Sequence, residues 1–259
     1  VVILNALSVP RLGIAFEVNE AQQVQIAAIN TDSPNAGRVS VGAIVTHFVT
    51  PSGSLPATAT LLVEEPDILP DFALYNAFMA EQGQLTQALQ EDHLALVLAD
   101  GRQIEMATQK ARLGDLSWLF WFQLFVGIGG ALTGALVWAL SPAPSVATRL
   151  YLLTGLGYLV FAPSAGIYST RELALPAADF RLLSITNHAG ALFFTASLTS
   201  LLWVYPRRLG HAWPVLLCYA SALTVWLLDA SQVGGDPGIF HFGVLIVFAL
   251  SFVFAGMQW

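Results

Sequence analysis

The pattern of apolar and polar residues divides the chain into two parts, with the boundary predicted between residues 112 and 113. After this boundary, long apolar runs are separated by short polar or proline-containing breaks. A bilayer core about 30 Å thick requires roughly 20 predominantly apolar residues per helix, because lipid cannot pair with free backbone groups. Residues 113–259 are therefore predicted to form an all-α transmembrane bundle of about five helices, with spans near residues 118–140, 150–168, 183–205, 213–230 and 239–259.

The first part has the shorter patterns of a water-soluble fold. Apolar residues over Ile14–Val18, Val24–Ile29 and residues 41–48 are typical of β-strands. Ser33 followed by Pro34 fits the start of a helix, with the serine as cap and the proline at the first helical position.

Two further patterns complete the prediction for this part. Residues 71–89 place apolar side chains at helical spacing, with Gln and Glu opposite them. Residues 93–107 alternate around Asp100 and Gly101, which is a strong signal for a two-residue hairpin turn. Strands combined with helices indicate that residues 1–112 form a small α+β domain.

The order of these elements resembles a PDZ domain. Residues 11–16 are similar to the carboxylate-binding loop of that family, and residues 33–45 are similar to a stretch found in bacterial PDZ domains. The sequence departs from the usual pattern at Arg11, which replaces the loop's first glycine, and at Ala43, which replaces an aspartate. The resemblance implies that backbone N–H groups bind a carboxylate at a loop formed by Leu12, Gly13, Ile14, Ala15 and Phe16.

The arrangement of a PDZ-like domain before several spans resembles the sensor region of a group of bacterial sensor histidine kinases. Residues 100–102, 120–123 and 203–207 are similar to stretches associated with that group. The resemblance implies a homodimer in the bacterial inner membrane that responds to a small-molecule or peptide signal. It also implies a cytoplasmic transmitter that uses ATP and Mg²⁺ for phosphotransfer to a response regulator. No such kinase part and no cofactor site are recognisable in these 259 residues.

Composition agrees with a membrane protein. Hydrophobic residues make up 56% of the chain and charged residues 10%, against roughly 45–50% and about 25% in ordinary soluble domains. The 17 acidic residues outnumber the 10 basic ones, so no basic stripe is present to bind nucleic acid. Val1 and the apolar end at Trp259 suggest the middle of a longer protein, and Cys218 has no cysteine partner in the chain.

The positions of the basic residues predict the orientation. The first predicted connection between spans contains Arg149 and the third contains Arg207 and Arg208, so both are expected in the cytoplasm. The second connection, with Arg171 and Arg181, is then expected outside. This orientation makes the PDZ-like domain extracytoplasmic.

Polar residues inside predicted spans are costly and are therefore candidates for function. Four of them are predicted at similar depth near the outer surface, which suggests a ligand pocket with tryptophans nearby. A simpler interpretation is that they form interhelical hydrogen bonds worth about 1 kcal/mol. The candidate residues are Asn187, His188, Asp229, His241, Trp118 and Trp121.

These observations favour the sensing module of a histidine kinase, which would relay ligand binding outside to a transmitter in the cytoplasm. A transporter or channel component is an alternative, as is an envelope scaffold whose PDZ-like domain binds a protein tail. The sequence contains no His-Glu-x-x-His motif, no rhomboid-type Gly-x-Ser-Gly and no glycine-rich phosphate loop. No catalytic residue and no metal site are therefore predicted.

Overall fold

The computed structural model describes residues 2–259, which form two compact units. The first unit contains residues 2–66, 73–117 and 167–181. The second unit contains residues 67–72, 118–166 and 182–259.

The first unit contains six strands in two antiparallel sheets. A two-stranded sheet pairs β1 (Ile14–Val18) with β2 (Val24–Ile29). The second sheet has the order β4-β3-β5-β6 and consists of β3 (Val45–Thr50), β4 (Gly53–Pro56), β5 (Leu94–Leu98) and β6 (Gln103–Met106). Phe48 of β3 and Leu96 of β5 are opposite each other and fully buried, so this sheet contributes the centre of the core.

The predicted strands Ile14–Val18 and Val24–Ile29 are confirmed, and the strand predicted over residues 41–48 lies slightly later, as β3. The predicted hairpin is also confirmed, since β5 and β6 pair antiparallel, but the two-residue turn predicted for it is wrong, because the pairing of Val97 with Gln103 leaves a longer turn between the strands. Gly101 has a φ of 84°, a conformation that glycine adopts without steric cost.

The predicted helix over residues 71–89 is confirmed as α2 (Phe72–Gln90), whose apolar side faces the core through Tyr75, Phe78 and Leu85. The sequence pattern did not indicate the short helix α1 (Val2–Ala6) or the 3-10 helices Ala59–Leu62, Pro66–Ile68 and Leu113–Asp115.

The helix predicted to start at Ser33 is wrong, because residues 31–38 form consecutive turns. The Ser33 hydroxyl does accept a hydrogen bond from the Asn35 backbone N–H, as a helix cap would. The same hydroxyl donates to the Leu12 carbonyl, and Gly37 has a φ of 82°. A left-handed residue so soon after the cap ends the turn before a helix can propagate.

The second unit is built from helices. Its helices are α3 (Trp118–Leu140), α4 (Val146–Ser169), α5 (Ala177–Val204), α6 (Trp213–Ala230) and α7 (Ile239–Met257), although the end of α4 and the start of α5 belong to the first unit. Four of them, α3, α4, α6 and α7, are long and apolar enough to cross a membrane. Helix α5 is the longest, but it is more polar and is not one of the four, so its crossing remains a prediction.

The helices expose large apolar side chains. Phe125 of α3 and Phe252 of α7 are 77% and 67% exposed, and Leu245 is similarly exposed. Exposed large apolar side chains in such numbers are costly in water and favourable in lipid. The surface therefore agrees with a membrane-embedded bundle.

Candidate functional site

A buried cluster of acidic and histidine side chains lies in the second unit. His188 Nδ1 is 2.7 Å from Asp229 Oδ2, and His188 Nε2 is 3.3 Å from Asp67 Oδ2. The same oxygen of Asp67 is 2.7 Å from His241 Nε2. The side chains of His188, Asp67 and Asp229 are only 4–6% exposed, whereas that of His241 is 43% exposed.

Four separate chain segments position this Asp–His cluster, which we define as Asp67, His188, Asp229 and His241. Asp67 lies in the 3-10 helix Pro66–Ile68, His188 in α5, Asp229 near the end of α6 and His241 near the start of α7. The His188 ring stacks on Phe240 with centroids 3.9 Å apart. The imidazole is therefore fixed both by this ring and by a carboxylate at each nitrogen.

The hydrogen bonds indicate the charge of the cluster. Both ring nitrogens of His188 face carboxylate oxygens, and only the imidazolium form can donate from both nitrogens. Burial raises the pKa of Asp67, but hydrogen bonds from His188 and His241 outweigh burial and hold that pKa well below its usual value. The cluster is thus a buried ionic network. Its nitrogens and oxygens are directed at one another, so the geometry is that of hydrogen-bonded ion pairs.

The structure brings together three of the four polar residues that were predicted to line the pocket. His188 contacts Asp229 directly, and His241 joins them through Asp67. Asn187 instead donates a hydrogen bond to the Phe161 carbonyl of α4. Ligand binding by any of these residues remains a prediction.

The two predicted tryptophans lie at the surface rather than in a polar pocket. Trp118 is 75% exposed and Trp121 is 38% exposed. Trp121 packs edge-to-face on Phe120, and Trp118 packs on Phe122. Exposed indole rings at a helix end are typical of the membrane interface.

A second candidate site is the predicted carboxylate loop, where the structure supplies a carboxylate from the same chain. The Leu12 N–H donates to Glu172 Oε1 over 2.5 Å, and the Gly13 N–H lies 3.1 and 3.2 Å from the two Glu172 oxygens. Ile14, Ala15 and Phe16 continue into β1. The predicted loop therefore does present backbone donors to a carboxylate.

Glu172 and its neighbour Arg171 are both outside the predicted spans and largely buried. Desolvation raises the pKa of Glu172, while the hydrogen bonds from the Leu12 and Gly13 N–H groups and the charge of Arg11 oppose that rise. Desolvation lowers the pKa of Arg171 to about 10. The Arg171 guanidinium donates to the carbonyls of Val63, Glu64 and Tyr168 and lies 4.7 Å above the centroid of the Phe180 ring.

Sequence reasoning did not select Asp67 or Glu172. Asp67 lies in an acidic stretch with Glu64, Glu65 and Asp71, and nothing in the pattern distinguishes it from them. Glu172 lies in a predicted connection between spans, where charged residues are ordinary. The only signal was its position in an otherwise nearly uncharged half of the chain.

Comparisons of the chain with protein-family profiles, with curated proteins and with solved structures found no match. The PDZ-like identity of the first unit and the kinase resemblance stay predictions.

Proposed function

We propose that this chain is the membrane signal-sensing module of a sensor histidine kinase. In this proposal, a signal outside the cytoplasm changes the packing of the membrane helices, and the change reaches a cytoplasmic transmitter. The observation that carries the proposal is the buried Asp–His cluster, which joins α5, α6, α7 and the segment containing Asp67.

Such a cluster is poorly explained by stability alone. Removing charges from water costs several kcal/mol per ion, and buried ion pairs often only break even against apolar packing. Ionisable groups within membrane helices are therefore expected to serve binding, relay or conformational switching. A signal that replaces one member of this cluster would change the contacts among α5, α6 and α7 at once.

Helix α7 connects the cluster with the other end of the bundle, so a movement of its start can be transmitted to its end. His241 lies near the start of this helix, which at 19 residues is about 28 Å long. Further along it, Ser251 is 2.7 Å from the Thr199 hydroxyl of α5. Near its end, Gln258 donates to the Leu202 carbonyl. Movement of α7 against α5 would therefore change contacts between the two helices along most of the bilayer thickness.

The test uses the complete gene product reconstituted in nanodiscs with radiolabelled ATP and Mg²⁺. The proposal expects phosphate on a histidine that is stable to alkali and labile to acid. The chain ending at Trp259, tested in parallel, is expected to remain unlabelled. A complete product that continues into further spans and takes up no phosphate would contradict the proposal and favour transport.

The same assay tests the role of the cluster. His188→Gln keeps a polar side chain but removes the imidazolium, and it is expected to change the labelling rate at least about fivefold. His93→Gln is the matched control, because His93 is exposed in the first unit. Equal labelling rates for both variants would show that the cluster does not control the transmitter.

A further inference from the structure

The turn formed by Leu12 and Gly13 is built to receive a carboxylate. Two successive backbone N–H groups converge on the Glu172 side chain. Converging N–H groups of this kind form a concave anion site, and their hydrogen bonds to a charged acceptor are stronger than those to a neutral one. A glutamate carboxylate presents the same two oxygens as the free end of a peptide.

The turn is held in place by groups other than Glu172. Gly13 has a φ of 69°, and a Cβ at this position would lie 2.7 Å from the Ser33 Cβ, so only glycine fits. Ser33 and Asn35 donate hydrogen bonds of 2.6 and 2.9 Å to the Leu12 carbonyl. Asn35 also exchanges two hydrogen bonds with the backbone of Ala107. The donors of the turn are therefore preorganised.

The segment that carries Glu172 is fixed on both sides of it. Arg171 donates to the carbonyls of Val63 and Glu64, and the Leu175 N–H donates to the buried Gln82 side chain. Residues 170–176 connect α4 to α5, so these contacts fasten that connection within the first unit. Glu172 adds its carboxylate to these contacts by accepting hydrogen bonds from the Leu12 and Gly13 N–H groups.

Space for another ligand lies next to the occupied turn. A cavity of about 320 Å³ is lined by Gly13, Ile14, Ala28, Asn30, Gln109 and Glu172. Because Glu172 forms part of the wall, displacement of its side chain would open the turn to this cavity.

We infer that Glu172 is an internal ligand of the Leu12–Gly13 turn, an intramolecular latch that fastens the α4–α5 connection and closes the turn to other carboxylates. An intramolecular ligand competes with external ones at an effective concentration that its tether sets. An external carboxylate must overcome this competition before it binds. The latch does not depend on the proposed sensing function, since it concerns only contacts within the first unit.

The test is hydrogen exchange of the full chain in nanodiscs, followed by mass spectrometry of a peptide covering residues 9–16. Glu172→Ala is expected to increase exchange at the Leu12 and Gly13 amides at least about tenfold. Acetate at high concentration is expected to restore protection, since it fills the space left by the missing carboxylate. Acetamide, which has the same size and no charge, is expected to restore much less, because its neutral oxygen is a weaker acceptor.

Two further variants keep the test decisive. Glu20→Ala removes an exposed carboxylate from the same unit and is expected to leave exchange unchanged. Glu172→Gln keeps the side-chain shape and one neutral acceptor oxygen, so it is expected to raise exchange less than Glu172→Ala does, and it serves if the alanine variant unfolds. Unchanged protection in the folded glutamine variant, or equal rescue by acetate and acetamide, would overturn the latch.

Discussion

Asp67 is the residue on which the buried cluster depends most. One of its oxygens accepts hydrogen bonds from both histidines, so it bridges His188 and His241. Removing one member of a buried ionic network leaves an uncompensated charge, which typically costs about 3–5 kcal/mol. The cluster is therefore sensitive to any change that removes a charge from a single member.

We expect the Asp67 carboxylate to stabilise the fold in a pH-dependent manner. Its pKa in the folded chain lies below the ordinary value of 3.8, so its stabilising contribution is complete above that value and is lost as the pH falls through the folded pKa. Asp67→Asn should lower the melting temperature by several degrees at pH 5, and the difference from the original chain should shrink towards pH 3.

Thermal unfolding in detergent between pH 5 and pH 3 measures this difference. Asp32→Asn serves as the control, because Asp32 is an exposed carboxylate in a turn of the first unit. A difference that stays constant across this range would show that Asp67 is not ionised preferentially in the folded chain.

At the scale of elements, glycines let α3 and α4 pack with their backbones in close approach. A Cβ on Gly155 would lie 2.3 Å from the Gly130 carbonyl oxygen, and one on Gly134 would lie 3.0 Å from the Leu152 Cα. Small residues at such a contact allow van der Waals packing and are common between membrane helices. Backbone cannot move aside as a flexible side chain can, so larger residues are excluded from this contact.

Gly155→Val should therefore separate the two helices and destabilise the bundle by about 1–3 kcal/mol or more, which is the usual cost of overpacking. Gly129→Val is a matched control on α3, because a Cβ there meets nothing within 4 Å. Thermal unfolding in the same detergent compares the two variants. Equal melting temperatures would contradict the close approach of α3 and α4.

At the scale of the whole molecule, the crossing of α5 decides the topology. Four crossings would return the chain to the side on which the first unit lies, whereas five would end it on the opposite side. The polar residues of α5 include His188 and Asn187, and both have hydrogen-bond partners on other helices. Polar groups paired in this way can be accommodated inside a membrane bundle.

We expect five crossings with the first unit outside the cytoplasm. In a Cys218→Ala background, an impermeant maleimide added to intact cells should label Ser52→Cys. It should label Ala143→Cys and His211→Cys only after permeabilisation. All three positions are exposed, in the first unit and in the connections after α3 and α5.

Each position tests a different part of the topology. Labelling of position 211 in intact cells, with position 143 protected, would show that α5 does not cross. Labelling of position 143 with protection of position 52 would reverse the orientation.

The sequence alone determined the elements whose signals are local. Helices α3 and α6 begin and end at the predicted residues, because their apolar runs are long and are ended by polar or proline-containing breaks. Strands β1 and β2 were likewise predicted from their short apolar stretches. The helix predicted to start at Ser33 was wrong, because a serine hydroxyl makes the same hydrogen bond in a turn as in a helix cap. The left-handed conformation of Gly37 then ends the turn.

Only the tertiary structure decided which residues form the sites. His188, Asp229 and His241 were selected from the cost of polar groups in lipid, and their similar depth was predicted. Their link through Asp67 and the pairing of Glu172 with Leu12 join residues far apart in the chain. Such contacts depend on how the elements pack, and a carboxylate in an acidic loop has no local pattern that distinguishes a bridge from a solvated charge.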